Sequence, residues 1–324
     1  MKLFKIITIL DTSIATQNIG DEIIMDAVNE EMLDVFKNDM FLRVPTHEVI
    51  GISSLSLIRN SIFGVVGGSN ILSSKMNKYK QWKISVIQSF FIKNKIILLG
   101  VGWRNYQNKP NFITKILLKN LLSKKYVHSV RDSYTEDKLK KEGFFNVINT
   151  SCPTMWRLTP EYCSQIPKNK ADKVVFTLTD YSKEAMLDKF LVDKLLENYS
   201  EVYYWIQSRK DLSYFKELDI DHDKIKIIPP SLKAYTSFLE NTCCDYIGTR
   251  LHGGIRALQK SKRTIIIGVD NRAIEKKKDF NLNVIERGNL KNELENQILS
   301  DFETKIFIPL ENIQKWKSQF VQNH

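Results

Sequence analysis

No apolar run in these 324 residues is longer than a strand. Ile96-Ile97-Leu98-Leu99 and Thr264-Ile265-Ile266-Ile267 are typical, well short of the ~20 residues that span a bilayer. The apolar start of the chain is cut off early by Asp11 and a polar stretch, and no small-residue cleavage site follows, so a cytosolic chain is expected. Cysteine is scarce: Cys152, Cys163, Cys243 and Cys244 show neither metal-ligand nor redox spacing. That suits a reducing compartment, with the adjacent Cys243 and Cys244 expected as small buried side chains. Internal repeats, low-complexity tracts and a ligand cluster for a metal are all absent from the sequence. No nucleic-acid-binding motif accompanies the basic residues, so nucleic acid is not an expected partner.

What the chain has in excess is positive charge, a net +11. Such a balance suits anionic lipid or a phosphorylated substrate. The lysines are spread along the chain, with one denser stretch: Lys75, Lys78, Lys80, Lys83, Lys93 and Lys95 around Trp82, Phe90 and Phe91. Read as a helix, it offers a basic amphipathic face to a membrane surface. The alternative is a solvated helix whose apolar side packs on a sheet.

Strands and helices alternate throughout. A strand from Leu3 to Leu10 leads to a helix opened by Gly20, Asp21 and Glu22. A buried strand ends in Gly67-Gly68-Ser69-Asn70, where the glycines let backbone approach a ligand or simply make a tight turn. Strand Ile96–Val101, helix Phe112–Lys125 and strand Tyr126–Val130 follow. Ser133 and Glu136 then read as a capping box that starts a helix ending at Gly143. After a proline-bearing stretch the alternation resumes at Val174. The pattern predicts an α/β fold with two Rossmann-like, doubly wound domains facing across a cleft. The expected boundaries are 1–155, a linker over 156–172, 173–308, and a C-terminal helix in 309–324 that packs back on the first domain.

The most informative segment is Gly248-Thr249-Arg250-Leu251-His252-Gly253-Gly254, between the strand Asp245-Tyr246-Ile247 and a predicted helix. A cation and an imidazole there sit at the C-terminal lip of a parallel sheet, beside a helix N-terminus. Free N–H groups and the helix dipole favour anions at that place. Arg250 reads as an anion clamp and His252 as a proton donor; the plainer reading is a surface arginine and a structural histidine. Arg131 holds a second anion-suited position, at a strand end before a helix, unless it merely pairs with Asp132.

Taken in order, Asn18-x-Gly20-Asp21-Glu22, Gly67-Gly68-Ser69-Asn70, Val130-Arg131-Asp132-Ser133, Arg250-Leu251-His252 and Ile265-Ile266-Ile267-Gly268-Val269-Asp270 resemble the polysaccharide pyruvyl transferase family. The resemblance covers about Leu10 to Arg272. It implies a GT-B-like pair of Rossmann-like domains, the first on the acceptor side, the second on the donor side. It also implies phosphoenolpyruvate as co-substrate, a sugar diol as acceptor and a cyclic pyruvate ketal as product. Arg131, Arg250, Leu251, His252 and Gly253 match the donor-binding segments, with His252 and Arg250 in the catalytic role. Asn18, Gly20, Asp21, Gly67, Gly68, Ser69 and Asn70 are left as acceptor or loop candidates. One departure stands out: Asn149 to Trp156 carries no acid where many members have an Asp-Pro pairing, which weakens the acceptor side of the match.

The chemistry points the same way. Phosphoenolpyruvate carries two anionic groups, which arginine forks bind bidentately. Protonating its C3 methylene suits a histidine, whose pKa is near ~6.5, and no metal or other cofactor is needed. The acceptor is expected on a polyprenyl pyrophosphate at the inner membrane face, with the protein cytoplasmic or peripheral. A GT-B nucleotide-sugar glycosyltransferase and a non-catalytic sugar- or anion-binding protein are the alternatives.

Overall fold

The structure, a computed structural model, describes residues 4–79 and 81–321. Leu3, expected to open the first strand, and Lys80, in the basic stretch, lie outside the described residues, as do Met1, Lys2 and residues 322–324. Contacts divide the chain into two units. The first gathers residues up to Thr16, Ile24–Trp156 and the chain from Ile308; the second gathers Gln17–Ile23 and Arg157–Phe307.

In the first unit β1 (Ile6–Asp11), α1 (Ile19–Val35), β2 (Met40–Pro45), α2 (Ile52–Asn60), β3 (Gly64–Gly67), α3 (Val86–Phe91), β4 (Ile96–Leu99), α4 (Phe112–Leu121), β5 (His128–Val130), α5 (Ser133–Lys141) and β6 (Val147–Asn149) alternate. The residues of α1 up to Ile23 group with the second unit. The sheet runs β2-β1-β3-β4, all parallel, and β5 and β6 form a parallel pair bridged to it at Val101 and Val130. Period-two alternation sorts the core into two layers. Ile7, Ile9, Val65, Ile97 and Leu99 pack with α1. Leu10, Val66, Ile96 and Leu98 pack with Ile58 of α2, Ile92 after α3, and Leu117, Leu118 and Leu121 of α4.

The second unit holds α6 (Pro160–Cys163), β7 (Lys173–Thr177), α7 (Ala185–Asn198), β8 (Glu201–Trp205), α8 (Arg209–Glu217), β9 (Ile225–Ile228), α9 (Leu232–Asn241), β10 (Asp245–Gly248), α10 (Leu251–Gln259), β11 (Thr264–Gly268), α11 (Asn271–Phe280), β12 (Val284–Glu286) and α12 (Leu290–Leu299). Its parallel sheet runs β12-β11-β10-β7-β8-β9. The order reverses between β7 and β10, as it does between β1 and β3 in the first unit. Rossmann-like sheets bind ligands at the carboxyl ends of strands at such reversals. The last helix, α13 (Leu310–Val321), belongs to the first unit and sends Ile313, Trp316 and Phe320 into the α1 layer.

Several expectations change. Of the segment 156–172, Trp156 groups with the first unit and the rest with the second. There Thr159 caps α6, and Cys163 and Ile166 are buried. The basic stretch is not one helix: turns precede the six-residue α3. Met76, Trp82 and Ile84 all enter the core, at spacings that no single helix face provides. The cap of α5 is Asp132, whose carboxylate accepts from the Thr135 amide, not Ser133. Cys243 is exposed, while Cys244 is buried.

Candidate functional site

Arg250 follows β10 and stands at the N-terminus of α10, at the reversal point of the second sheet. The turn needs glycine at 248, where a Cβ would fall 2.6 Å from the Thr177 hydroxyl and 2.7 Å from its amide nitrogen. Thr249 N–H donates to Thr177 C=O at 3.0 Å, which fixes the backbone into Arg250. The arginine is 4% exposed. Its Nε donates to Leu178 C=O at 3.2 Å and to Asp211 at 3.1 Å; its Nη2 donates to Asp180 at 2.6 Å and again to Asp211. Nη1 takes no part in this network.

Asp211 is fully buried and also accepts the Ser208 and Asp180 amides. Burial pushes its carboxyl up to about 6, against the pull of the Arg250 guanidinium. Burial likewise opposes the charge on Arg250, and Asp211, together with Tyr181 and Asp180, more than offsets that. The anion clamp read from the sequence is thus a buried arginine held in place by two carboxylates.

A second arginine shares the place. Arg272 lies in the first turn of α11, which Asp270 caps by accepting the Arg272 amide at 2.9 Å. Its Nε donates to Asp270 at 2.9 Å and its Nη2 to the Tyr181 hydroxyl. The Tyr181 ring lies 5.1 Å from the Arg250 guanidinium carbon and 5.6 Å from that of Arg272. Two guanidinium groups therefore flank one phenol. Burial opposes the charge of Arg272, and Asp270, with a contribution from Asp21, holds it.

His252 is buried in the first turn of α10, a helix with no side-chain cap. Leu251 is buried beside it. Gly253 sits against Gln207 and Tyr246, where a Cβ would come within 3.1 Å of each. Gln207 Nε2 donates to Asn18 at 2.9 Å, and the Ile19 amide donates back to Gln207 C=O. A Cβ on Gly20 would lie 2.7 Å from that Nε2. Asn18, Gly20 and Asp21 therefore join the Arg250 site, although they lie far away in sequence. Gln207 Oε1 is buried with no partner among the described residues.

The other candidates belong to the first unit. Gly67-Gly68-Ser69-Asn70 follows β3 at the reversal of that sheet. Gly68 has φ +53, and a Cβ there would be 2.1 Å from Ile24 Cγ2, so the glycine pair answers a packing demand with α1. Ser69 is also left-handed, at φ 64. Thr12 Oγ1 and Asn70 Oδ1, past the ends of β1 and β3, are buried without partners among the described residues. Arg131 is buried, with Nε on Asp132 at 2.9 Å and Nη2 on Trp103 C=O at 3.3 Å. Its guanidinium lies over Gly102, where a Cβ would meet Cζ at 2.1 Å. A cavity of about 480 Å³ between Lys75, Tyr79, Tyr106, Lys109 and Tyr134 was not foreseen.

Sequence reasoning also missed Asp180, Tyr181, Gln207, Asp211 and the role of Arg272. Only Asp211 carried a local signal, since Ser208-x-x-Asp211 is a capping-box pattern.

Comparison with known proteins follows the same lines. The family described as polysaccharide pyruvyl transferase matches residues 18–271. No curated protein sequence matches the chain. Among solved structures it is similar to UDP-GlcNAc 2-epimerase of Methanocaldococcus jannaschii in complex with UDP-GlcNAc and UDP, at 12% identity over 99% of both chains, with a TM-score of 0.56. It is also similar to S. aureus MnaA with UDP, at 13% identity over 98% of this chain and 97% of that one, with a TM-score of 0.57. At such identity the likeness is one of fold: two Rossmann-like units of the GT-B-like class.

Proposed function

The chain belongs to the polysaccharide pyruvyl transferase family, and on that premise we propose that it moves the pyruvyl group of phosphoenolpyruvate onto a sugar diol of a bacterial surface-polysaccharide precursor. The observation that carries this reading is the pairing of Arg250 and Arg272 around Tyr181, beside His252, at the reversal of the second sheet. A phosphate and a carboxylate need two cations, and the site has two in fixed orientation. Arg250 turns its unused Nη1 to the ligand, while Asp211 and Asp180 keep its fork from swinging.

His252 donates a proton to the C3 methylene, which leaves oxocarbenium character at C2. One sugar hydroxyl adds at C2 and loses its proton, and the C2–O bond to phosphate breaks. The second hydroxyl closes the ring, giving a cyclic ketal and inorganic phosphate. The α10 N–H groups and the guanidinium groups stabilise the departing anion. Leu251 and Gly253 contribute backbone and shape, and the scheme requires no metal or cofactor. The acceptor side is assigned to Asn70, Ser69 and the glycine turn, with Asn18, Gly20 and Asp21, at the start of α1, next to the donor. The saccharide is borne on a polyprenyl pyrophosphate, and the protein works peripherally at the inner membrane face. Among the described residues no helix is long and apolar enough to cross a membrane.

The test is incubation with phosphoenolpyruvate and candidate acceptors, followed by phosphate release and a mass gain of pyruvate less water. Turnover of a nucleotide sugar instead would make the protein a glycosyltransferase. Binding without either product would make it a sugar- or anion-binding protein.

A further inference from the structure

Acidic residues are missing from one long part of the sequence. Between Glu48 and Asp132 there is no Asp or Glu, while residues 49–131 carry 14 Lys and Arg. That stretch is +14 and the whole chain +11, so the remainder is about −3. The positive charge of this protein therefore resides in residues 49–131, mostly in the segments that connect the elements from α2 to β5, with Arg59 on α2 and Lys115 and Lys119 on α4.

Those helices cover one face of the first sheet, and their outer surface is apolar in an unusual way. On α3 Ile87 is 73% exposed, and Phe90 and Phe91 are 58% exposed each. Val49, just before α2, and Ile52, its first residue, are 76% and 88% exposed. They lie beside α3, since the Gln88 side chain donates to Ile50 C=O at 2.6 Å. Asn120 of α4 donates to Ser89 of α3 at 3.0 Å, and Lys119, before it on α4, is exposed. Lys83 and Lys93 flank the helix and are exposed too. Trp82 and Ile84, from the same segment, are buried. Apolar side chains left outside, on a helix whose neighbours fill the core, make a surface that seeks a second phase.

We propose that the α2–α3 face docks on an anionic lipid bilayer, with Ile87, Phe90 and Phe91 entering the acyl boundary and Lys83, Lys93 and Lys119 meeting the headgroups. Charge decides between a lipid surface and a second copy of the chain. Two copies would bring two strongly basic segments together, which is repulsive, whereas a bilayer with anionic headgroups attracts both parts of the patch. The inference deepens the proposed function by naming the surface that meets a lipid-borne acceptor, and it rests on that reading for its purpose only. Lipid binding is read without any pyruvyl transfer, so the two can fail separately.

The experiment is co-sedimentation of the full chain with vesicles of phosphatidylcholine alone and of phosphatidylcholine with one third phosphatidylglycerol. Wild type should bind the anionic vesicles, release with salt, and leave the neutral ones. Phe90→Ser with Phe91→Ser should weaken binding about tenfold or more. Lys93→Glu with Lys119→Glu should do the same through charge alone. Both pairs lie at the surface, so melting temperatures should stay near wild type. The proposal is overturned if wild type binds neither vesicle, or both equally. It is also overturned if both double variants bind as wild type does, or if Phe90→Ser with Phe91→Ser turns a dimer in solution into a monomer.

Discussion

His252 and Arg250 are proposed for different roles, and substitution separates the two. Replacing His252 by Ala should lower turnover by about two to four orders of magnitude with donor binding largely kept; near wild-type turnover would return it to a structural role. Arg250→Lys keeps the charge and loses the fork that grips Asp211 and Asp180. A large rise in the Michaelis constant for phosphoenolpyruvate is expected, together with a lower melting temperature. If only the melting temperature moves, Arg250 is a strut and not a clamp. His128 gives a prediction about pH. It is fully buried, its Nδ1 accepts from the Leu98 amide at 3.2 Å, and its Nε2–H donates to Ser123 C=O at 2.8 Å. That environment suits only the neutral ring, and burial lowers its pKa from 6.5 to about 4. A depressed folded-state value means stability is present above pH 6.5 and is lost as pH falls toward 4. The loss should be on the order of 3 kcal/mol. Denaturant titrations of wild type and His128→Gln, whose amide can replace both hydrogen bonds, should show a flatter profile for the variant in that window.

At the scale of elements, the turns after strands carry the site, and their glycines can be tested directly. Gly68→Ala meets Ile24 at 2.1 Å with φ +53, so a loss of about 2–3 kcal/mol is expected from overpacking and strain together. A loss under ~0.5 kcal/mol in urea melts would mean that the turn yields and that packing against α1 does not require glycine. The same scale shows what was legible in the sequence. The strand-turn-helix of Asp245 to Leu258 was readable because apolar strand, glycine turn and helix follow one another within a few residues. The partners of Arg250 were not: Asp211 is 39 residues away, in the first turn of α8 after β8, and Asp180 is 70 away, just after β7. Only the strand order brings them together. Likewise Asn18 reaches Gln207 across 189 residues. The basic segment was misread as a helix because Met76, Trp82 and Ile84 serve the core from an irregular chain.

At the scale of the molecule, the first unit is completed by a helix from the far end of the chain. Ile313, Trp316 and Phe320 of α13 fill the layer under α1, with Trp316 fully buried and Phe320 packed 4.9 Å from the Phe36 ring. Lys317 adds an ion pair to the buried Glu31. The sequence pattern marked this helix but not how much of the core it supplies, because its partners, among them Phe36, Phe63, Tyr126 and Val127, lie far earlier in the chain. Loss of a buried tryptophan typically costs about 3–5 kcal/mol. Trp316→Ala should therefore destabilise the unit that holds β1 to β6 and leave the core around Val174, Phe176 and Ile247 intact. Hydrogen exchange followed by mass spectrometry can read each unit separately. Faster exchange is expected in peptides covering β1, β3 and β4, with protection of β7, β10 and β11 unchanged. Equal acceleration in both sets would show that the two units unfold as one, and that α13 stabilises the whole chain and not its own unit.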